Sequence, residues 1–144
     1  MKILMRLLDL LPYQTVYAHC DVPCGIYKIE PAKTAAETVL KMVQLIEDLP
    51  KENPTVDDRN KFVRCVVTKE EHAQKCKEEL LILWTDFFKP EHLKMFPKLH
   101  DTFWQAAKLC SKNKQTVSLE AAKELVSAVD EIAKIFNKAQ KSNS

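Results

Sequence analysis

A chain of 144 residues with a single glycine, Gly25, has few ways to fold. Average usage would supply roughly ten glycines. Tight hairpins draw on glycine for backbone angles that other residues reach only under strain, and phosphate-cradling loops need it so that the backbone can approach the ligand. A sandwich, a barrel or a Gly-rich nucleotide-binding fold is therefore disfavoured. Hydrophobic residues make up 46% of the chain, enough for a core and too much for disorder. The length suits one domain. The expectation is an all-α protein, an antiparallel four-helix bundle with an irregular N-terminal segment.

Charge narrows the partners. There are 22 Lys and Arg against 20 Asp and Glu, a formal net of +2. No run of like charge reaches five residues and no basic face is clustered, so nucleic acid is not an expected partner. No apolar run approaches the roughly 20 residues of a membrane span, so the membrane is not one either.

Three regions follow along the chain. Residues 1–18, MKILMRLLDLLPYQTVYA, pair a basic start with an apolar stretch and end on Val16-Tyr17-Ala18, which has the form of a small-x-small cleavage site. Arg6, Asp9 and Pro12 break the apolar centre that an export signal needs. This segment reads as a short amphipathic leader removed on maturation. Residues 19–30 have no helical period and hold Pro23, Gly25, two cysteines and His19.

Residues 31–144 carry the bundle. Pro31 opens a helix with Ala35, Val39, Met42, Val43, Ile46 and Leu49 on one face, closed by Pro50 and Pro54. Asp57 or Asp58 can cap the second, long helix, with Phe62, Val66, Ala73, Cys76, Leu80, Leu83, Trp84 and Phe87 in its stripe. Pro90 ends it and can open a short helical turn. Pro97 starts a third element with Leu99, Phe103, Ala106, Ala107 and Cys110 inward. Ser118 caps the last helix, which buries Leu119, Ala122, Leu125, Val126, Val129, Ile132, Ala133 and Phe136. The tail KAQKSNS is expected to be loose.

The cysteines number five, an odd count that argues against a secreted disulfide scaffold. Cys65, Cys76 and Cys110 fall at apolar positions of helical patterns and read as small buried hydrophobes. Cys65 and Cys76 are eleven residues apart, which returns to the same helix face. Free thiols and a poor export signal point to the cytoplasm.

Cys20 and Cys24 are different. They sit in His19-Cys20-Asp21-Val22-Pro23-Cys24-Gly25-Ile26-Tyr27, where two thiolates suit zinc, copper, iron–sulfur or nickel. Structural zinc usually brings a second pair of ligands. His72 lies four residues before Cys76 on one helix face, which leaves a His19/Cys20/Cys24/His72 zinc set open. Singly, His72, His92 and His100 read as surface or half-buried polar residues. Cleavage between Ala18 and His19 would free an α-amine with a pKa of about 7.7–8.0. That amine, the Cys20 amide nitrogen and the Cys20 and Cys24 thiolates can then lie in one plane around a metal, with the His19 imidazole as an axial ligand. Planar nitrogen and sulfur donors point to Ni(II) or Cu(II). The competing readings are a non-catalytic zinc- or nickel-binding helical module, a nickel or copper carrier, and a small helical protein with a Cys20–Cys24 redox disulfide.

The segment HCDVPCGIY resembles the nickel-binding hook of the nickel superoxide dismutases, which has the form HCDxPCGxY at the mature N-terminus. Trp84-Thr85-Asp86-Phe87-Phe88-Lys89-Pro90-Glu91-His92 is similar to that family's W-S/T-D-Y-F-K-P-x-H stretch, and Phe96-Pro97-Lys98-Leu99-His100 to its aromatic-P-x-L-H segment. The resemblance extends from His19 to about Ala139. It implies a four-helix bundle, a homohexamer, one nickel per subunit, a leader removed by a processing peptidase, and dismutation of superoxide to O2 and H2O2 by Ni(II)/Ni(III) cycling. By the same resemblance His19, Cys20 and Cys24 are the metal ligands, Asp21 orders the hook, Tyr27 covers the open face and Lys89 lies at the entrance. Three positions depart from the pattern: Ala35 falls where the family has a glutamate bonded to the axial histidine, His72 where it has an arginine, and Phe87 where it has a second tyrosine. Glu37 or His72 is the expected substitute in that outer layer.

Overall fold

The connectors set where helices start. The computed structural model describes residues 25–142. Helix α1, Glu30–Glu47, has Pro31 in its first turn, where the missing N–H costs nothing. Helix α2, Val56–Ile82, is capped by neither Asp57 nor Asp58 but by Thr55. The Thr55 Oγ1 accepts the Asp58 N–H at 3.1 Å, and the Asp58 carboxylate accepts the Thr55 N–H at 2.9 Å. This reciprocal box satisfies two backbone donors, where a lone aspartate satisfies one. The short helix α3, His92–Met95, follows Pro90 as expected. Helix α4 spans Leu99–Gln115 and helix α5 Leu119–Ser142. Ser118 Oγ accepts the Ala121 N–H at 3.2 Å at the start of α5.

The tail departs from expectation. Residues 138–141 continue α5 because Ala139 is fully buried and anchors that turn.

The four long helices close into a ring: α1 packs on α2 and α5, and α4 packs on the same two. Cross-helix pairs show α2 and α4 to be antiparallel, since Gln74 meets Lys114 and Lys77 meets Ser111. Inside the ring lie Ala35, Val39 and Val43 from α1, Ala73, Cys76 and Leu80 from α2, Phe103, Ala106 and Cys110 from α4, and Leu125, Val129, Ile132 and Phe136 from α5. Phe62 is a correction to the expected stripe, being 45% exposed. Residues 56–64 are exposed except for half-buried Asp58, because α4 ends at Gln115, level with Lys69, and leaves the start of α2 without that neighbour. No helix among the described residues is long and apolar enough to cross a membrane.

One buried cation belongs to the frame. Lys69 occupies a core position of α2 and donates its three ammonium protons to the carbonyls of Asn113, Lys114 (3.1 Å) and Thr116 (3.0 Å). These carbonyls lie at the end of α4, where the helix leaves acceptors unpaired and the dipole is negative. Asn113, also buried, donates to the Leu109 carbonyl at 3.0 Å and to the Ala121 carbonyl at 2.9 Å, which ties α4 to α5.

Candidate metal centre

The irregular stem leading into α1 begins at Gly25, with φ +69°. An added Cβ there would meet nothing within 4 Å, so the demand for glycine is one of backbone angle and not of space. Four residues on, Ile29 is buried in the core and fixes where the stem meets the bundle. Between them Tyr27 is half-buried, its ring 5.5 Å from that of Phe87. Tyr27, Ile26, Lys28 and Pro31 line a cleft of about 310 Å³ against Glu79, Ile82 and Leu83 of the long helix.

The floor under Tyr27 comes from a break in helical period. After Ile82 the chain makes one π turn, Leu83–Phe87, in which the Phe88 N–H donates to the Leu83 carbonyl at 3.1 Å. The wider turn takes in one extra residue, so Leu83, Phe87 and the next residue, Phe88, are all buried. The apolar stripe read along the sequence ends at Phe87 and leaves Phe88 out.

His92 is a further correction. It was expected at the surface or half-buried, yet it is 1% exposed. Its Nδ1 accepts the Lys89 N–H at 2.9 Å. Its ring stacks on Phe87, with centroids 5.8 Å apart and planes 11° apart, and meets the edge of Phe88 at 5.6 Å. A continuous set of contacts therefore runs from the Lys89 backbone through His92 and Phe87 to Tyr27, and Lys89 itself is exposed at its end. The spacing Lys89-Pro90-Glu91-His92 held the clue: a side-chain acceptor three residues after a free N–H closes a turn. Trp84 Nε1 donates to His100 Nδ1 at 2.9 Å, which joins the two quoted motif stretches at the same end of the bundle.

The outer-layer residues divide. Ala35 and His72 line one cleft of about 370 Å³, with Lys28, Glu30, Pro31, Thr34 and Lys75. His72 Nδ1 lies 2.9 Å from the Thr68 carbonyl. A carbonyl only accepts, so Nδ1 carries a proton, and the tautomer this contact selects has Nε2 as its acceptor. Glu37 is exposed and about 200° round α1 from Ala35. It shares its face with Lys33, whose ammonium pairs with Asp130 of α5 at 2.9 Å. The hydrogen bond and charge of Asp130 hold the Lys33 pKa above its ordinary value. The fold thus brings His72 to Ala35 and does not bring Glu37 there.

His19, Cys20, Asp21 and Cys24 lie outside the described residues. Among the described residues no group of three or more His, Cys, Asp or Glu is placed to hold a metal ion.

The fold and the stem define a small helical-bundle protein whose candidate metal donors precede the first helix. Residues 14–140 match the family model described as nickel-containing superoxide dismutase. The superoxide dismutase [Ni] of Streptomyces seoulensis is 34% identical over 130 residues, covering 90% of this chain and 94% of the relative. The protein of the same name from Streptomyces coelicolor matches to the same extent. A crystal structure of Ni-containing superoxide dismutase, with nickel ligation corresponding to the oxidised state, superposes with a TM-score of 0.76 at 32% identity, over 85% of this chain and 99% of that one. A native 1.30 Å structure of nickel superoxide dismutase gives the same TM-score and coverage at 30% identity. The chain belongs to the nickel-containing superoxide dismutase family.

Proposed function

We propose that this chain, by family a nickel-dependent superoxide dismutase, builds its metal site from a new N-terminus created by cleavage before His19. The observation that carries the reading is the family match across residues 14–140, on a fold that seats Tyr27 against the bundle next to the ligand-rich segment. The donor set fits the metal: two thiolates, an amine and an amide nitrogen are strong-field donors suited to planar nickel. His19, Cys20 and Cys24 would hold one ion per subunit, with Asp21 ordering the segment. Nickel bound there supplies one-electron redox chemistry between Ni(II) and Ni(III), which the chain's own side chains lack.

The described residues have roles around that site. Tyr27, fixed by Phe87, restricts the open face to small species, and its phenol can hold a proton for delivery to the reduced product. Lys89 is an exposed cation that steers a small anion, so the rate falls with ionic strength. His72 offers an acceptor Nε2 in the cleft beside Ala35, suited to bond an imidazole N–H from the stem side and so to orient a ligating ring.

The reading includes a leader of residues 1–18, a homohexamer and the cytoplasm. The leader is supported by the solved relatives, whose chains are matched over 99% of their length by 85% of this one. The compartment is supported by three free, buried cysteines, Cys65, Cys76 and Cys110. An exposed apolar stripe on α2, Val56, Val63 and Val67, with exposed Phe62 on the adjoining face, supports assembly with further copies.

The deciding measurement is the intact mass of protein isolated from its native host, followed by nickel analysis and a superoxide assay on the same sample. Loss of residues 1–18, about one nickel per chain and a salt-sensitive rate are expected. A chain that starts at Met1, carries zinc or no metal and leaves superoxide untouched would return the protein to the non-catalytic readings.

A further inference from the structure

Two thiols outside the proposed metal centre face each other in the middle of the bundle. Cys76 on α2 and Cys110 on α4 are fully buried and free, and both belong to the core cluster where those two helices pack. Their register is held from both sides. Lys114 Nζ donates to Gln74 Oε1 at 3.0 Å, and Lys77 Nζ donates to Ser111 Oγ at 3.2 Å. These contacts fix the antiparallel register of α2 on α4 beside the two cysteines.

We propose that Cys76 and Cys110 form a peroxide-oxidised dithiol, which closes to a disulfide between α2 and α4 with H2O2 as the oxidant. The established reaction of the family supplies that oxidant as its product, and only this source of peroxide rests on the dismutase reading. Two electrons leave the sulfur pair and enter the O–O bond. The Cys110 thiolate attacks one peroxide oxygen, the O–O bond breaks, and water departs after taking up a proton, leaving a sulfenic acid on Cys110. The Cys76 sulfur then attacks the Cys110 sulfur, its proton joins the departing hydroxide, and a second water leaves as the S–S bond forms. Both thiol protons and both peroxide oxygens are accounted for in two waters.

The assignment of the attacking sulfur follows from the pair's surroundings. The neighbouring Cys76 thiol lowers the Cys110 pKa against the effect of burial, and the Lys77 ammonium acts in the same direction. Cys76 is pushed up by that same pairing and by burial. Burial also selects the oxidant. H2O2 is small and neutral and enters an apolar layer at far lower cost than the superoxide anion. Bulkier reagents need the helices to part.

The test uses the processed, nickel-loaded protein. It is exposed to added H2O2, quenched with catalase, unfolded, alkylated and peptide-mapped. A cross-linked pair of peptides containing Cys76 and Cys110 is expected, about 2 Da lighter than the two thiol peptides and restored by an added dithiol. In Cys76→Ala, Cys110 is expected to stop at a sulfenic acid that dimedone traps. Recovery of both cysteines as alkylated thiols, or their separate oxidation to sulfinic acids without a cross-link, overturns the proposal. The wild-type map decides the matter even where the variant folds poorly. Added peroxide reads the thiol pair without regard to dismutase activity, so failure of either reading is seen separately. With superoxide fed instead, catalase is expected to abolish the cross-link, and a cross-link that persists overturns peroxide as the oxidant.

Discussion

His92 shows how much one ring can position. From a buried position it accepts the Lys89 N–H, stacks on Phe87 and meets the edge of Phe88. Replacing it by leucine keeps apolar bulk but strands a backbone donor, which costs about 1–3 kcal/mol. His92→Leu should therefore unfold at lower urea, and its kcat/KM for superoxide should fall while nickel content stays at wild-type level. His92→Asn should recover part of the activity, because its Oδ1 can replace Nδ1 as the acceptor. Equal loss in both variants would mean that the ring acts by packing alone. Gly25 is the complementary case. Its positive φ is a requirement on the chain and not on the neighbours, so no contact inside the bundle announces it.

At the scale of the elements, the ends of helices carry the polar chemistry. The Thr55–Asp58 box starts the longest helix, and hydrogen bonds from the Thr55 hydroxyl and N–H hold the Asp58 pKa below its ordinary value of 3.8. The folded form thus favours the carboxylate more than the unfolded chain does. Its contribution is complete above the unfolded value and is lost as pH falls through the lower folded one. The urea midpoint of the wild type should exceed that of Asp58→Asn near neutral pH, with the gap closing below about pH 3.8. A gap that persists at low pH would remove the carboxylate from the account. The Leu83–Phe87 π turn matters equally to function, since it presents Phe87 to Tyr27 while burying Phe88. Apolar periodicity in the sequence ran through this stretch without a break, because Leu83 and Phe87 satisfy an α-helical stripe by themselves.

At the scale of the whole molecule, apolar side chains lie uncovered at the start of α2. Phe62, Val63 and Val67 are 45%, 57% and 49% exposed on the overhanging start of α2. If further copies cover this surface in the proposed hexamer, Phe62→Ser combined with Val63→Lys should lower the mass in solution, read by light scattering. The helical circular dichroism of the variant should match the wild type, since these side chains support no intrachain core. An unchanged mass would place the subunit contacts elsewhere. Buried Lys69 and Asn113 also act at this scale. Lys69 binds the end of α4 from α2, and Asn113 binds α4 to α5.

The amino-acid sequence by itself determined the helical class, since a single glycine and long apolar stripes leave no other economical fold. It also determined the chemistry of the candidate donors, because thiols and an imidazole are properties of residue type and order. The tertiary structure decided which residues stand next to which. Lys69 reads as a solvated charge until the carbonyls of another helix surround it. His92 reads as a surface histidine until a π turn brings Phe87 and Phe88 against it. Glu37 and His72 were equal candidates along the chain, and only helix rotation separates them. Periodicity reports which face of a helix is apolar, but it carries no information about the partner across the interface or about the turn at which the period changes.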